Sequence, residues 1–266
     1  MPAMMLEVKD LRIKVHDEKT TDTLVYDVDL TMQKGDILGI VGESGSGKTM
    51  TALAIAGLLS RHDMEKSGSI IFEDINLLEC RRKVLRKIQG NEISMIFQEP
   101  MNSLNPLLKV GYQVEESLRI HTTMDKAERK ERALKALADV ELPDPQAVYN
   151  SYPHELSGGM RQRVMIAAAM IIQPKLLIAD EPTTALDVTI QAQIVNLLKK
   201  INRERNTAIL FISHDLSLVN SLCERVLVMQ NGNVVEQGIC DEIFHNPKEE
   251  YTKKLIAAIP KNPFDK

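Results

Sequence analysis

From Leu6 to Val15 the chain alternates apolar and polar residues, with Leu6, Val8, Leu11, Ile13 and Val15 on the apolar side and one slip in the alternation. A period of two predicts a half-buried strand. His16 to Thr23 is polar and turn-like, and Leu24 to Met32 predicts a second strand. Lys34-Gly35-Asp36 then turns the chain into the unbroken apolar run Ile37-Leu38-Gly39-Ile40-Val41, which reads as a strand buried on both faces. Met50 to Ala56 predicts a helix. Ser69 to Phe72 and Ile93 to Phe97 predict short strands, the second ending at Gln98-Glu99-Pro100.

The pattern changes after Pro100. From about Pro106 to Ile172 the text is mostly helical, and Lys126 to Val140 carries apolar residues at a spacing of three to four with Lys, Arg and Glu between them. Leu142-Pro143-Asp144-Pro145 stops that helix, because proline lacks the donor a helix interior requires. Gly158 to Ile172 is helical again. Strands return at Lys175 to Ala179, Thr207 to Ser213, Arg225 to Met229 and Val234-Val235, the last two joined through an Asn231-Gly232 turn. Helices at Thr189 to Arg205 and Asp215 to Cys223 lie between them. Strands alternating with helices on both sides of a helical block predict an α/β fold: a mainly parallel, helix-covered sheet with an inserted helical subdomain.

The link between the first buried strand and its helix is Gly42-Glu43-Ser44-Gly45-Ser46-Gly47-Lys48-Thr49, a complete G-x-x-x-x-G-K-[ST] loop. Glycines let successive backbone N–H groups turn inward on an anion, and the helix beginning near Lys48 adds its positive end. Lys48 is placed to reach the β- and γ-phosphates of a nucleoside triphosphate, and Thr49 to hold Mg²⁺. The plainer alternative is a glycine-rich turn between a strand and a helix.

Composition narrows the setting. The chain has 266 residues, 44% of them hydrophobic and 26% charged, and a net charge of −4. That balance suits a globular protein and argues against a general grip on nucleic acid. Cys80, Cys223 and Cys240 lie far apart with no C-x-x-C spacing, which fits a reducing cytosol better than a disulfide framework. The start, Met1-Pro2-Ala3-Met4-Met5-Leu6, soon meets Glu7, Lys9 and Asp10, so no signal peptide is expected. The longest apolar run, Val164 to Ile172, is far short of the roughly 20 residues a membrane span needs.

Two further motifs bear on chemistry. Leu176-Leu177-Ile178-Ala179 runs into Asp180-Glu181, so two carboxylates stand at the carboxyl end of a strand, where ligands of open α/β sheets bind. Asp180 is positioned to hold Mg²⁺ through water, and Glu181 to take a proton from an attacking water. Leu156-Ser157-Gly158-Gly159-Met160-Arg161-Gln162-Arg163 opens a helix with Ser157 as its N-cap. Two glycines just inside a helix cost about 1 kcal/mol each, which suggests that the backbone comes close to something, either a ligand or a tightly packed neighbour.

The order of P-loop, Gln98, Ser157-Gly158-Gly159, Asp180-Glu181, Asp187 and His214 resembles the ATP-binding cassette (ABC) proteins across nearly the whole chain. The resemblance implies a P-loop NTPase core with an antiparallel β-subdomain over residues 1–98 and 173–240, a helical signature subdomain over 99–172, and a C-terminal extension over 241–266. It implies a head-to-tail dimer with ATP between the P-loop of one subunit and the signature of the other. Gly42, Glu43, Ser44, Gly45, Ser46, Gly47, Lys48 and Thr49 then bind ATP in one subunit. Ser157, Gly158, Gly159 and Asp187 meet the nucleotide or the interface from the other. Thr49, Gln98 and Asp180 are the expected Mg²⁺ ligands, and Glu181, Gln98 and His214 the expected catalytic residues. The family's adenine-stacking aromatic falls by register on Val15, next to His16, with Tyr26 as a further substitute.

Three segments resemble the ATPases of oligopeptide, dipeptide and nickel importers: Phe97 to Pro106, Asp180 to Thr189, and the tail from Asn246-Pro247 through Tyr251-Thr252 to Ile259-Pro260. Ser-Gly-Gly-Met in the signature resembles the first of the two unlike ATPases such systems use. The implied partners are a second ABC ATPase, two integral-membrane permease subunits that dock around Gln98 to Tyr112, and indirectly an extracytoplasmic solute-binding protein. The implied location is the cytoplasmic face of the cell membrane. Many such proteins carry tail cysteines for an iron–sulfur cluster. This sequence runs to Asn262-Pro263-Phe264-Asp265-Lys266 without them, so no cluster is expected. The competing readings are a soluble ABC ATPase acting on nucleic acid or ribosomes, and a non-catalytic subunit that holds ATP as dimer glue. No heptad run supports a repair-type coiled coil, a single cassette is unlike the ribosome type, and Glu181 and His214 are both present.

Overall fold

A computed structural model describes residues 4–16, 20–59, 63–98, 103–184 and 186–259 of the chain. The expected strand end at Glu99-Pro100, part of the Phe97 to Pro106 segment, part of the turn after His16, Ala185 and the tail from Pro260 onward lie outside the described residues. The chain divides into two compact units, Met1–Cys80 with Leu210–Lys266, and Arg81–Ile209.

The first unit begins with β1 (Met4–His16), β2 (Thr21–Gln33), β3 (Ile37–Val41), α1 (Lys48–Ile55), β4 (Met64–Phe72) and β5 (Ile75–Asn76). The second unit contains α2 (Arg82–Ile88), β6 (Ile93–Ile96), α3 (Val110–Val114), α4 (Glu116–His121), α5 (Lys126–Asp139), α6 (Pro145–Asn150), α7 (Gly158–Met170), β7 (Leu176–Asp180) and α8 (Val188–Arg205). The strand β8 (Ala208–Ser213) carries the chain back to the first unit. There α9 (Leu216–Leu222), β9 (Arg225–Gln230), β10 (Asn233–Ile239), α10 (Cys240–His245) and α11 (Glu250–Ala257) follow.

In the first unit, β1, β2, β4 and β5 form an antiparallel sheet in the order β2-β1-β4-β5. Leu6, Val8, Leu11 and Ile13 of β1 are all buried, as the alternation requires. The slip in that alternation is a β-bulge. The pairing of β1 shifts register after Val8 against β2 and after Lys9 against β4, and Asp10 takes a positive φ of 50°. In the same unit β3 pairs parallel with β9, β10 lies antiparallel on the far side of β9, and β8 lies on the other side of β3. Every residue of β3 is buried, which is why its sequence is an unbroken apolar run. Asn231 and Gly232 both take positive φ, 48° and 80°, the backbone that a tight two-residue hairpin turn demands.

In the second unit β6 and β7 pair parallel, with Ile93 opposite Leu176 and Ile96 opposite Ala179. The helices α3 to α7 pack together beside them, with α7 making contacts with β6. The cap of α5 is a reciprocal box: the Asp125 carboxylate accepts from the Ala127 and Glu128 N–H groups, and Glu128 accepts from the Asp125 N–H. The expected stop follows, because Asp144 caps α6 and Pro145 occupies its first turn. No helix among the described residues is long and apolar enough to cross a membrane.

Candidate functional site

The glycine loop lies in the first unit, where it links β3 to α1. Gly42 has φ of +154°, and a Cβ there would collide with the Met229 carbonyl oxygen of β9. Only glycine lets the loop leave β3 so close to its neighbour. Glu43, Ser44 and Gly45 are exposed, whereas Ser46 and Lys48 are buried. The Lys48 ammonium turns back into the loop and donates to the carbonyl oxygens of Gly42 at 2.8 Å and Glu43 at 2.7 Å, and to Ser46 Oγ at 3.3 Å. A buried cation needs such a ring of acceptors.

The loop is braced from several sides. Ser46 N–H donates to the Glu43 carbonyl at 3.2 Å, and the Ser46 carbonyl accepts from Gly232 N–H at 3.0 Å. The Gly232 carbonyl accepts from Tyr26 N–H at 2.8 Å, which ties the hairpin turn to β2. Gly47 is the N-cap of α1 and supplies no side-chain cap, and the first turn of α1 holds no acidic residue. The positive end of this helix is therefore not neutralised by its own sequence. Thr49 is the second residue of α1 and half-buried.

His214, also in this unit, is exposed directly after β8, and the carboxylate of the next residue, Asp215, caps α9 through Ser217 N–H at 2.8 Å. His16, at the end of β1, has both ring nitrogens engaged: Nδ1 lies 3.0 Å from Thr21 Oγ1 and Nε2 3.1 Å from Glu65 Oε2. Tyr26 is exposed on β2, and Val15 is half-buried.

The second unit brings together Gln98, Asp180 and Glu181. The strand β7 is buried throughout, Asp180 included. Glu181 follows with φ of +45°, a left-handed backbone that costs a non-glycine residue about 1–3 kcal/mol. Its Oε2 accepts from Gln98 Nε2 at 2.9 Å and from Thr184 Oγ1 at 2.9 Å. Thr184 was not singled out from the sequence, where the available signal was a hydroxyl three residues beyond the acid.

The signature turn lies in the same unit. Ser157 caps α7, its Oγ accepting from Met160 N–H at 3.3 Å, and both Ser157 and Gly158 are exposed. The two glycines differ. A Cβ on Gly159 would lie 3.1 Å from Ile190 Cγ2 of α8, a tight fit, whereas one on Gly158 would meet only Leu186 at 3.6 Å, an ordinary contact. Packing therefore accounts for glycine at 159 and not at 158. Asp187 caps α8, its carboxylate accepting from Ile190 N–H at 3.0 Å, and is exposed beside an equally exposed Val188.

Residues 25–184 match the family model described as ABC transporter. The chain is similar to the oligopeptide transport ATP-binding protein OppD of Haemophilus influenzae, 48% identical over 97% of this chain and 79% of that protein. It is 46% identical to the dipeptide transport ATP-binding protein DppD of the same organism, over 96% of this chain and 78% of the relative. Among solved structures, a dimeric ATP-binding cassette in a post-hydrolysis state bound to ADP and Pi superposes with a TM-score of 0.79 at 30% identity, covering 89% of this chain and 99% of that one.

Proposed function

The chain belongs to the ABC transporter family, and on that premise we propose that it is the ATP-hydrolysing subunit of an importer that drives peptide uptake through partner permeases. The observation that carries the catalytic part of this reading is the pair Gln98–Glu181. A carboxylate held in a left-handed turn by an amide and a hydroxyl is oriented before any substrate arrives.

The residues fit the ATP and Mg²⁺ this reading requires. The loop from Gly42 to Thr49 takes the phosphates: its glycines admit close backbone approach, Lys48 supplies a compact positive charge, and α1 begins with no side-chain cap and no acidic residue in its first turn. Thr49, Gln98 and Asp180 offer hard oxygen donors of the kind Mg²⁺ prefers, and that ion, bound together with substrate phosphates, needs only one or two carboxylates. When bound it neutralises charge on the β- and γ-oxygens. Glu181 takes the proton of the water that attacks the γ-phosphorus, Gln98 orients that water, and His214 contacts the γ-phosphate. Ser157, Gly158 and Gly159 face the γ-phosphate held by a second ATPase subunit, and Asp187 lies at the same interface. This places a second helix N-terminus on one anion, so the triphosphate joins the subunits and hydrolysis releases them.

On the same reading, residues 1–98 and 173–240 are the ATP-binding core with its β-subdomain, 99–172 the signature subdomain and 241–266 a C-terminal extension. The partners are a second, distinct ABC ATPase, two permease subunits and, indirectly, a solute-binding protein, with this chain peripheral at the cytoplasmic face of the membrane. The test is to copurify the complex, reconstitute it in vesicles and follow ATP-dependent uptake of labelled peptides and of nickel. Peptide uptake supports the assignment, nickel uptake alone reassigns the cargo, and ATP hydrolysis with no membrane partner overturns the transport reading.

A further inference from the structure

The hydroxyl of Tyr251, on α11, accepts the backbone N–H of Glu43 at 3.0 Å, across 208 residues of sequence. That N–H belongs to the same peptide unit as the Gly42 carbonyl, which accepts from Lys48 Nζ at 2.8 Å. The Gly42–Glu43 peptide is thus pinned at both poles, by the phenol at its nitrogen and by the loop lysine at its oxygen. A peptide whose N–H is hydrogen-bonded is a better acceptor at its C=O, so the two bonds reinforce each other.

The segment that supplies Tyr251 is itself tied down within the same unit. Glu236 of β10 is buried, and its carboxylate accepts from Lys248 N–H at 2.8 Å and from Glu249 N–H at 3.2 Å, at the entry to α11. Thr252, beside Tyr251, is fully buried. Burial raises the Tyr251 phenol above its ordinary value, which keeps it protonated at neutral pH. The strap therefore presents a fixed, neutral acceptor to the loop.

Building on the nucleotide reading above, we infer that Tyr251 is a positioning residue for ATP binding: through the Gly42–Glu43 peptide it holds the P-loop and Lys48 in a phosphate-ready shape, so that the C-terminal helix sets nucleotide affinity. Losing this pin leaves the loop more conformations to surrender when the phosphates arrive, which weakens binding by about the three- to tenfold that one net neutral hydrogen bond represents.

The test uses the full chain and Tyr251→Phe, which keeps the ring and removes the hydroxyl. ATP affinity is measured by calorimetry, and amide exchange is followed at Glu43. The expected result is a Kd for ATP raised about three- to tenfold together with loss of exchange protection at the Glu43 amide. Either change without the other, or neither, overturns the inference. Failure of the unmodified chain to bind ATP would instead condemn the nucleotide reading itself, so the two failures are distinguishable.

Discussion

Gln98 and Glu181 are joined by a 2.9 Å hydrogen bond although 83 residues separate them. Strand register explains the meeting. Ile96 of β6 lies opposite Ala179 of β7 in a parallel pair, so Gln98 and Glu181 each stand two residues beyond matched positions at the same edge. An amide that donates to the carboxylate holds it aimed, as a general base must be. Glu181→Gln keeps the shape of the side chain and removes the base. ATP turnover of the assembled complex is expected to fall about 10²–10⁴-fold, the range for loss of a general base, with ATP binding retained. Phosphate release at an unchanged rate would remove Glu181 from this role.

Lys48 is buried against three oxygens of its own loop. Lys48→Ala removes the charge that the phosphates would meet and leaves those acceptors without their donor. Affinity for ATP is expected to weaken by at least about tenfold, since hydrogen bonds to charged groups contribute about 1.5–3 kcal/mol. Titration calorimetry measures this, and an unaltered Kd would contradict the phosphate role.

The two signature glycines separate packing from function. Gly158 has room for a methyl group, so Gly158→Ala should leave the melting temperature unchanged or raise it, since alanine is favoured over glycine in a helix by about 0.5–1 kcal/mol. Gly159→Ala presses on Ile190 and should lower it. If the Gly158 backbone faces a partner's nucleotide, Gly158→Ala also lowers the ATPase rate of the complex despite its intact fold. Full activity in that variant would argue that the exposed glycine serves only the helix entry.

Glu236 carries a pH dependence whose sign can be worked out. Burial alone would raise its carboxyl, but the adjacent Thr252 side chain and hydrogen bonds from the Lys248 and Glu249 N–H groups hold it below its ordinary value of 4.5. A carboxyl lowered in the folded state stabilises the fold above its unfolded value, and that contribution is lost as pH falls through the folded one. Thermal unfolding from neutral pH down to about pH 3 should show wild type losing stability below 4.5 more steeply than Glu236→Gln. Parallel curves would show that the carboxylate does not hold the entry to α11.

Much of this was legible in the sequence, for a physical reason. Strands buried on both faces, such as β3 and β7, write themselves as unbroken apolar runs, and caps such as Ser157, Asp187 and Asp215 mark helix starts by their own side chains. The helix after the P-loop starts at Lys48, where the loop motif places it, although its apolar run begins only at Met50. The charged α2 and the six-residue α10 are too short to show an apolar period that could be read locally. Contacts set by strand order and tertiary docking left no local trace at all. The Tyr251 hydroxyl on Glu43, 208 residues away, emerges only when the chain is folded.

The most direct measurement of the central claim is a cryo-EM map of the complete transporter carrying Glu181→Gln and loaded with ATP. The expected map places Ser157 Oγ and the N–H groups of Gly158 and Gly159 against the γ-phosphate held by the other ATPase subunit's P-loop. A map in which Ser157 to Gly159 points away from every bound nucleotide would contradict it.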